Sequence, residues 1–187
     1  MRADFGQAIA HIRPEDLIFL DEFGTNLAMT PRYARALSGI RAYSAVPFDP
    51  GENITLTMGL SLHGVIAPLA VPGATNGDLF REYVERVLVP ELRPGNVVVF
   101  DNVSSHKVVG VREAIEAAGA RLLPLPPYSP DLSPVENCGS KVKTAIRARS
   151  PRTRDDLYDA MGDALRTVTL SDVRSWFVHC GYRVKPD

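Results

Sequence analysis

Three carboxylates occupy positions whose types and spacing suit metal-assisted phosphodiester chemistry. Asp21 ends the apolar run Leu17-Ile18-Phe19-Leu20, and Asp101 ends Val97-Val98-Val99-Phe100. Glu136 follows a proline-punctuated loop, Pro124 to Pro134, at a helix start. Two acids at the ends of buried strands and a third from a helix supply hard oxygen ligands. Magnesium needs such ligands when it keeps water and substrate oxygens in its shell. A carboxylate closing an apolar strand is costly unless paired or metal-bound. The plainer alternative for Asp21 is a strand-end acid facing water. For Glu136 it is a capping box, Ser133-x-x-Glu136, in which the Glu only satisfies the Ser backbone N–H. Glu22 should point to the opposite face of its strand. Asp131 is the fallback third acid.

Other residues stand close to these acids. Asn102 and His106 follow Asp101 and are candidates to touch the substrate or to orient the metal ligands; a helix cap is the alternative for His106. Tyr128, inside the proline loop, is a candidate to stack on a base or a sugar, or else to pack against Leu132. From Lys141 to Arg154 there are six basic residues and no acid. A local basic stripe can hold phosphates although the net charge is only -1; a solvated helix face is the alternative. Lys141, Lys143, Arg147 and Arg149 are the candidate DNA-binding residues. On a helix beginning at Ser133, Ser140, Lys143 and Arg147 fall on the side of Glu136.

The elements that must position these groups can be read from periodicity. Residues 16–22 form a strand. Residues 24–52 are rich in Gly, Pro, Thr and Ser, with at most a short strand near Arg41–Val46. Ile54, Leu56, Met58, Leu60 and Leu62 alternate with small residues, the period of a half-buried strand. His63-Gly64 turns into another strand, Val65 to Val71. Helical spacing runs from Leu79 to Leu88, with Asn76 or Asp78 as cap. Val97–Phe100 is a strand buried on both faces. His106 to Ala118 reads as a helix, and Arg121–Leu125 as a short strand. Helices follow from Ser133, Thr153 and Ser171. Residues 1–15 look irregular, a residual linker ahead of a domain over 16–182, with 183–187 a tail. Three meander strands followed by alternating helix and strand make an α/β architecture, a mixed five-stranded sheet flanked by helices. This is the element order of the ribonuclease H-like fold. Hydrophobic residues make up 45% and charged residues 23%, ordinary for a globular chain. There is no apolar run long enough for a membrane span. Cys138 and Cys180 fit free thiols in a reducing compartment, and no Cys or His lies at zinc-ligand spacing.

Three stretches together resemble the catalytic domain of the mariner-like DDE transposases, in their bacterial insertion-sequence branch. They are Asp21-Glu22-Phe23-Gly24-Thr25-Asn26, Asp101-Asn102-Val103-Ser104-Ser105-His106-Lys107, and Leu125-Pro126-Pro127-Tyr128-Ser129-Pro130-Asp131-Leu132-Ser133-Pro134-Val135-Glu136. The 34 residues between Asp101 and Glu136 suit that branch. The resemblance implies that Asp21, Asp101 and Glu136 are the catalytic triad and hold two Mg²⁺ ions, with Mn²⁺ as a substitute. It implies cut-and-paste transposition into a TA target, with the terminal inverted repeats and target DNA as partners. It also implies a homodimer on paired ends and a cytoplasmic, nucleoid-associated location in a bacterium. Two departures stand out: Asn137-Cys138-Gly139-Ser140 replaces apolar and aromatic residues after the Glu, and Pro124 replaces an apolar residue. The family's helix-turn-helix domain is not in the chain. A catalytically degenerate DNA-binding remnant is therefore the alternative function, and an RNA–DNA hybrid nuclease of the same fold is a third.

Overall fold

The structure is a computed structural model that describes residues 1–101 and 109–185; Asn102 and His106 lie outside the described residues. Five strands build the sheet: β1 (Leu17–Thr25), β2 (Ile54–Ser61), β3 (Gly64–Pro72), β4 (Val97–Phe100) and β5 (Arg121–Pro124). Their order is β3-β2-β1-β4-β5, antiparallel across β1, β2 and β3, and parallel from β1 through β4 to β5. Among the described residues the helices are α1 (Arg2–Ile9), α2 (Gly77–Tyr83), α3 (Val111–Ala117), α4 (Pro134–Arg149), α5 (Arg154–Arg166) and α6 (Leu170–His179). A π-turn over Val84–Leu88 continues α2. This is the mixed five-stranded sheet with flanking helices that the element order predicts. No described helix is long and apolar enough to cross a membrane.

Each sheet face carries its own core. Leu17, Phe19 and Phe23 of β1 and Val97 and Val99 of β4 pack under α4, α5 and α6. Ile18, Leu20, Val98 and Phe100 point the other way, toward α2 and α3. The alternation in β1 thus separates two apolar layers, and an acid placed on an odd position of β1 faces α4.

Several expectations need correction. Residues 1–15 are not irregular: α1 forms there, and Phe5 is buried in the core with Ile9 and Ile12 packed against it. Those three residues are spaced at one helical face, a signal that polar neighbours obscured. β2 is buried along its whole length rather than half-buried. Its small residues meet a covering layer, not water, and their hydroxyls are satisfied locally: Thr55 donates to the Gly73 carbonyl (2.6 Å) and Thr57 to Glu22 (3.2 Å). No strand forms at 41–46. The helix predicted from His106 is described only from Val111, as α3, after Gly110, whose φ of 102° stands at the helix entry. The last helix is capped by Thr169, whose side chain and that of Asp172 close a capping box, and not by Ser171.

The seating of α4 on β1 decides where the site forms. Gly139 is buried there, and a Cβ on it would stand 3.4 Å from the Phe23 ring. That is ordinary contact, so Gly139→Ala should gain most of the helix propensity that Gly forfeits, up to about 1 kcal/mol. Gly139→Leu leaves Phe23 no room and should cost about 1–3 kcal/mol. Urea midpoints of the two variants check both signs.

Candidate active site

Asp21 lies near the middle of β1, opposite Met58 of β2. Its side chain shares the parity of Phe19 and Phe23, and so the face beneath α4. Its Oδ1 accepts the Glu22 backbone N–H at 2.7 Å. Glu22 faces the other layer, where its carboxylate accepts the Thr57 hydroxyl. The parallel ladder pairs Leu17 with Val97 and Phe19 with Val99. Two positions further along come Asp21, still within β1, and Asp101, the residue just past the end of β4.

Glu136 comes from the first turn of α4. Ser133 is the N-cap residue and Pro134 the first helical residue, as the sequence predicts, but the capping box does not form. The Ser133 N–H donates instead to the Pro130 carbonyl at 3.0 Å. That leaves the Glu136 carboxylate without a capping duty. It is exposed, and with Asp21, Lys143 and Arg147 it lines a hollow of about 230 Å³. Lys143 sits over the Phe23 ring, 4.8 Å from its centroid, which holds the ammonium near the acids.

Asp21 also feels the other two acids. The Asp21 carboxyl is pushed up from 3.8 to about 7. Burial is the largest cause, and Glu136 and Asp101 add repulsion; the Glu22 N–H and Lys143 oppose it. Among the described residues no three His, Cys, Asp or Glu side chains make a ready cage for an ion. A bound cation would nevertheless offset both the burial and the repulsion that hold Asp21 near neutrality, and all three donors are hard oxygens. The donor set therefore fits a hard divalent cation.

Comparison with known proteins decides the family. Residues 16–158 match the model of the DDE superfamily endonucleases. The chain belongs to this family. Its fold is that of the Mos1 mariner transposase catalytic domain. The Mos1 paired-end complex with the left transposon end matches at TM-score 0.76 and 18% identity, over 96% of this chain and 56% of that one. The Mos1 strand transfer complex matches at TM-score 0.73 and 17% identity, over 96% and 55%. The isolated Mos1 catalytic domain gives TM-score 0.67 and 16% identity, over 96% and 85%. The chain thus spans a little over half of the longer transposase chains it matches. No curated protein matches it.

The remaining candidates of this DDE domain are placed unevenly. Tyr128 is 99% exposed and does not pack against Leu132; its φ of 53° is unusual for a side chain of that size. Asp131 is tied to Arg2, away from the hollow, and so gives no third acid. Lys143 and Arg147 face the acids. Lys141 and Arg149 do not line the hollow: Lys141 pairs with Asp172 at 2.5 Å, and Arg149 with Asp163. One lining residue carries no sequence signal at all. Arg32 lies in the long segment between β1 and β2, and folding brings it back to the acids. Both cysteines are free and buried, the Cys138 thiol pushed up to about 12 by burial.

The raised Asp21 carboxyl sets a pH dependence. A carboxyl whose folded pKa lies above its unfolded one lends stability below about pH 4. That contribution is lost as pH rises through about 7. The loss at pH 8 should be on the order of 4 kcal/mol. In EDTA, urea unfolding from pH 4 to 8 should show this fall, and Asp21→Asn should remove most of it. Added Mg²⁺ should stabilise the unmodified chain more at pH 8 than at pH 5. A metal-free stability that does not fall with pH, or that falls equally in Asp21→Asn, contradicts the placement of Asp21.

Proposed function

We propose that this domain is the catalytic core of a DNA transposase, cutting a strand at an element's end and joining the freed 3′ end to target DNA. One observation carries the reading: Asp21 and Glu136, far apart in sequence, share a cleft with Lys143 and Arg147. Asp101, directly after β4, the strand beside β1, completes the proposed triad. Asp21, Asp101 and Glu136 would hold two Mg²⁺ ions, with Mn²⁺ as a substitute; Mos1 paired-end complexes exist with each metal. When bound, such ions supply Lewis acidity, activating a water and stabilising a departing 3′ oxygen.

The chain's own groups have separate tasks. Asp21, held back from ionisation, gains most from a cation. Lys143 and Arg147 bind phosphate oxygens and keep the scissile bond over the acids. Tyr128 offers an open ring for a base or sugar. Asn102 and His106 contact substrate from the segment after Asp101. Lys141 and Arg149 join the DNA surface by exchanging carboxylate partners for phosphates, a small cost for pairs near the surface. The resemblance adds terminal inverted repeats and a TA target as substrates, cut-and-paste movement, a homodimer on paired ends and action on the bacterial nucleoid in the cytoplasm.

A second reading rests on a different observation. Asp101 is exposed and does not line the hollow that Asp21 and Glu136 share. In that reading the domain is a transposase remnant that binds DNA without cutting it. Nicking of terminal-repeat DNA in Mg²⁺ separates the two. Under the first reading the unmodified chain nicks, and Asp101→Asn lowers the rate on the order of a thousandfold. Equal nicking by that variant removes Asp101 from the chemistry, and tight binding without nicking selects the second reading. Tyr128→Gly should leave stability within about 1 kcal/mol, because it relieves the positive φ. It should weaken DNA binding by about 1–3 kcal/mol if the ring stacks; fluorescence anisotropy measures the loss.

A further inference from the structure

The cleft does not end at the acids. Its lining also carries three basic residues, Arg32, Lys143 and Arg147. Arg32 and Arg147 also line a second hollow, of about 310 Å³, beside the end of β1 and the turn after it, Gly24 to Thr30. The two guanidinium groups are therefore the common wall of adjoining hollows, one step away from the carboxylates.

Their pairing sets them apart from Lys141 and the other arginines of the basic stripe; Lys143, over the Phe23 ring, is the remaining cation of that lining without an ion-pair partner among the described residues. Lys141 and Arg149 have carboxylate partners, Arg154 faces Glu52 at 3.6 Å, and Arg152 donates to backbone carbonyls including that of Leu27 at 3.1 Å. Neither Arg32 nor Arg147 has an ion-pair partner among the described residues. Burial disfavours the Arg147 charge, and the nearby Arg32 charge disfavours it further. Two like charges held together, one of them partly buried, leave a site that an external anion would stabilise. Guanidinium forks suit a phosphate, which accepts several N–H bonds at once.

We propose that Arg32 and Arg147 form a two-guanidinium clamp for one backbone phosphate, that next to the scissile one, on a DNA strand entering the acid cleft. This deepens the strand-cutting reading of the acids and rests on it. Arg32 thereby becomes a substrate-binding residue supplied by the segment between β1 and β2.

The test measures binding in an Asp21→Asn background, so that the strand stays intact in Mg²⁺. The probe is a fluorescein-labelled random-sequence DNA duplex, titrated across a range of KCl concentrations. Arg32→Gln and Arg147→Gln should each weaken binding roughly tenfold at low salt and lower the salt slope by about 1. Because both hold one phosphate, the double variant should lose little more than either single one. Arg147→Lys keeps the charge without the fork and should fall between, which separates lost recognition from a damaged fold. Arg93→Gln, at the opposite end of β4, should change neither quantity. An Arg32→Gln variant with unchanged affinity and slope overturns the clamp, as do fully additive losses, which would mean two separate phosphates. These outcomes do not depend on cutting. An unmodified chain that never nicks, yet loses binding through Arg32, sinks the strand-cutting reading alone. A nicking chain indifferent to Arg32 sinks the clamp alone.

Discussion

Repulsion among carboxylates is what this fold is built to withstand. Asp21 sits largely out of water, with Glu136 and Asp101 both raising the cost of its charge. Left free, such side chains would separate. Asp21 and Glu136 are kept together because each is fixed by an element that cannot yield cheaply. β1 is held between β2 and β4, and α4 begins at a proline after a stiff loop. Its buried stripe of Val135, Cys138, Val142 and Ile146 packs into the core on the same sheet face. The stability lost at the site is supplied by the packing on either side of it.

The loop that delivers Glu136 is anchored from behind. Tyr182 is buried and donates from its hydroxyl to the Leu132 carbonyl at 2.6 Å. Its ring also meets Phe19 and Phe177 at centroid distances of 5.2 and 5.7 Å. Phe19 lies two residues before Asp21 on the same face of β1. One aromatic cluster thus fixes both the strand that bears the first acid and the loop that leads to the third. Arg2 reaches the same loop from α1, at Ser129 and Asp131.

Much of this was legible in the residues, and the exceptions share a cause. Strand ends, apolar runs and the Pro134 helix start are local signals, so the strand and helix order and the faces of β1 and α4 could be read directly. Whether Ser133-x-x-Glu136 closes a capping box could not, because the competing acceptor, the Pro130 carbonyl, depends on how the loop turns. The small residues of β2 read as a wet face because Thr and Ser are polar. They are buried because side chains of the sheet itself crowd over them, as Ile18, Leu20 and Ile66 do at Gly59, and each hydroxyl finds a nearby acceptor. Arg32 was invisible for a stronger reason. No periodicity marks a residue in an irregular segment, and only the chain's return path brings it beside Arg147.

The unusual run after Glu136 is better explained as a packing solution than as decay. A glycine inside α4 costs about 1 kcal/mol against alanine, yet Gly139 lies on the helix side that meets the Phe23 ring. A large apolar residue there would compete with Phe23 for one space. Phe23 in turn carries Lys143 over its face. The apolar bulk absent from α4 is thus present on β1, and it sits where it also places a cation beside the acids. Pro124 allows a similar account. It is the last residue of β5, at the sheet's edge, where a missing backbone N–H costs little. Neither departure disturbs the three elements that bring the acids together. Loss of activity, if measured, would not arise from a broken helix: α4 runs unbroken from Pro134 to Arg149.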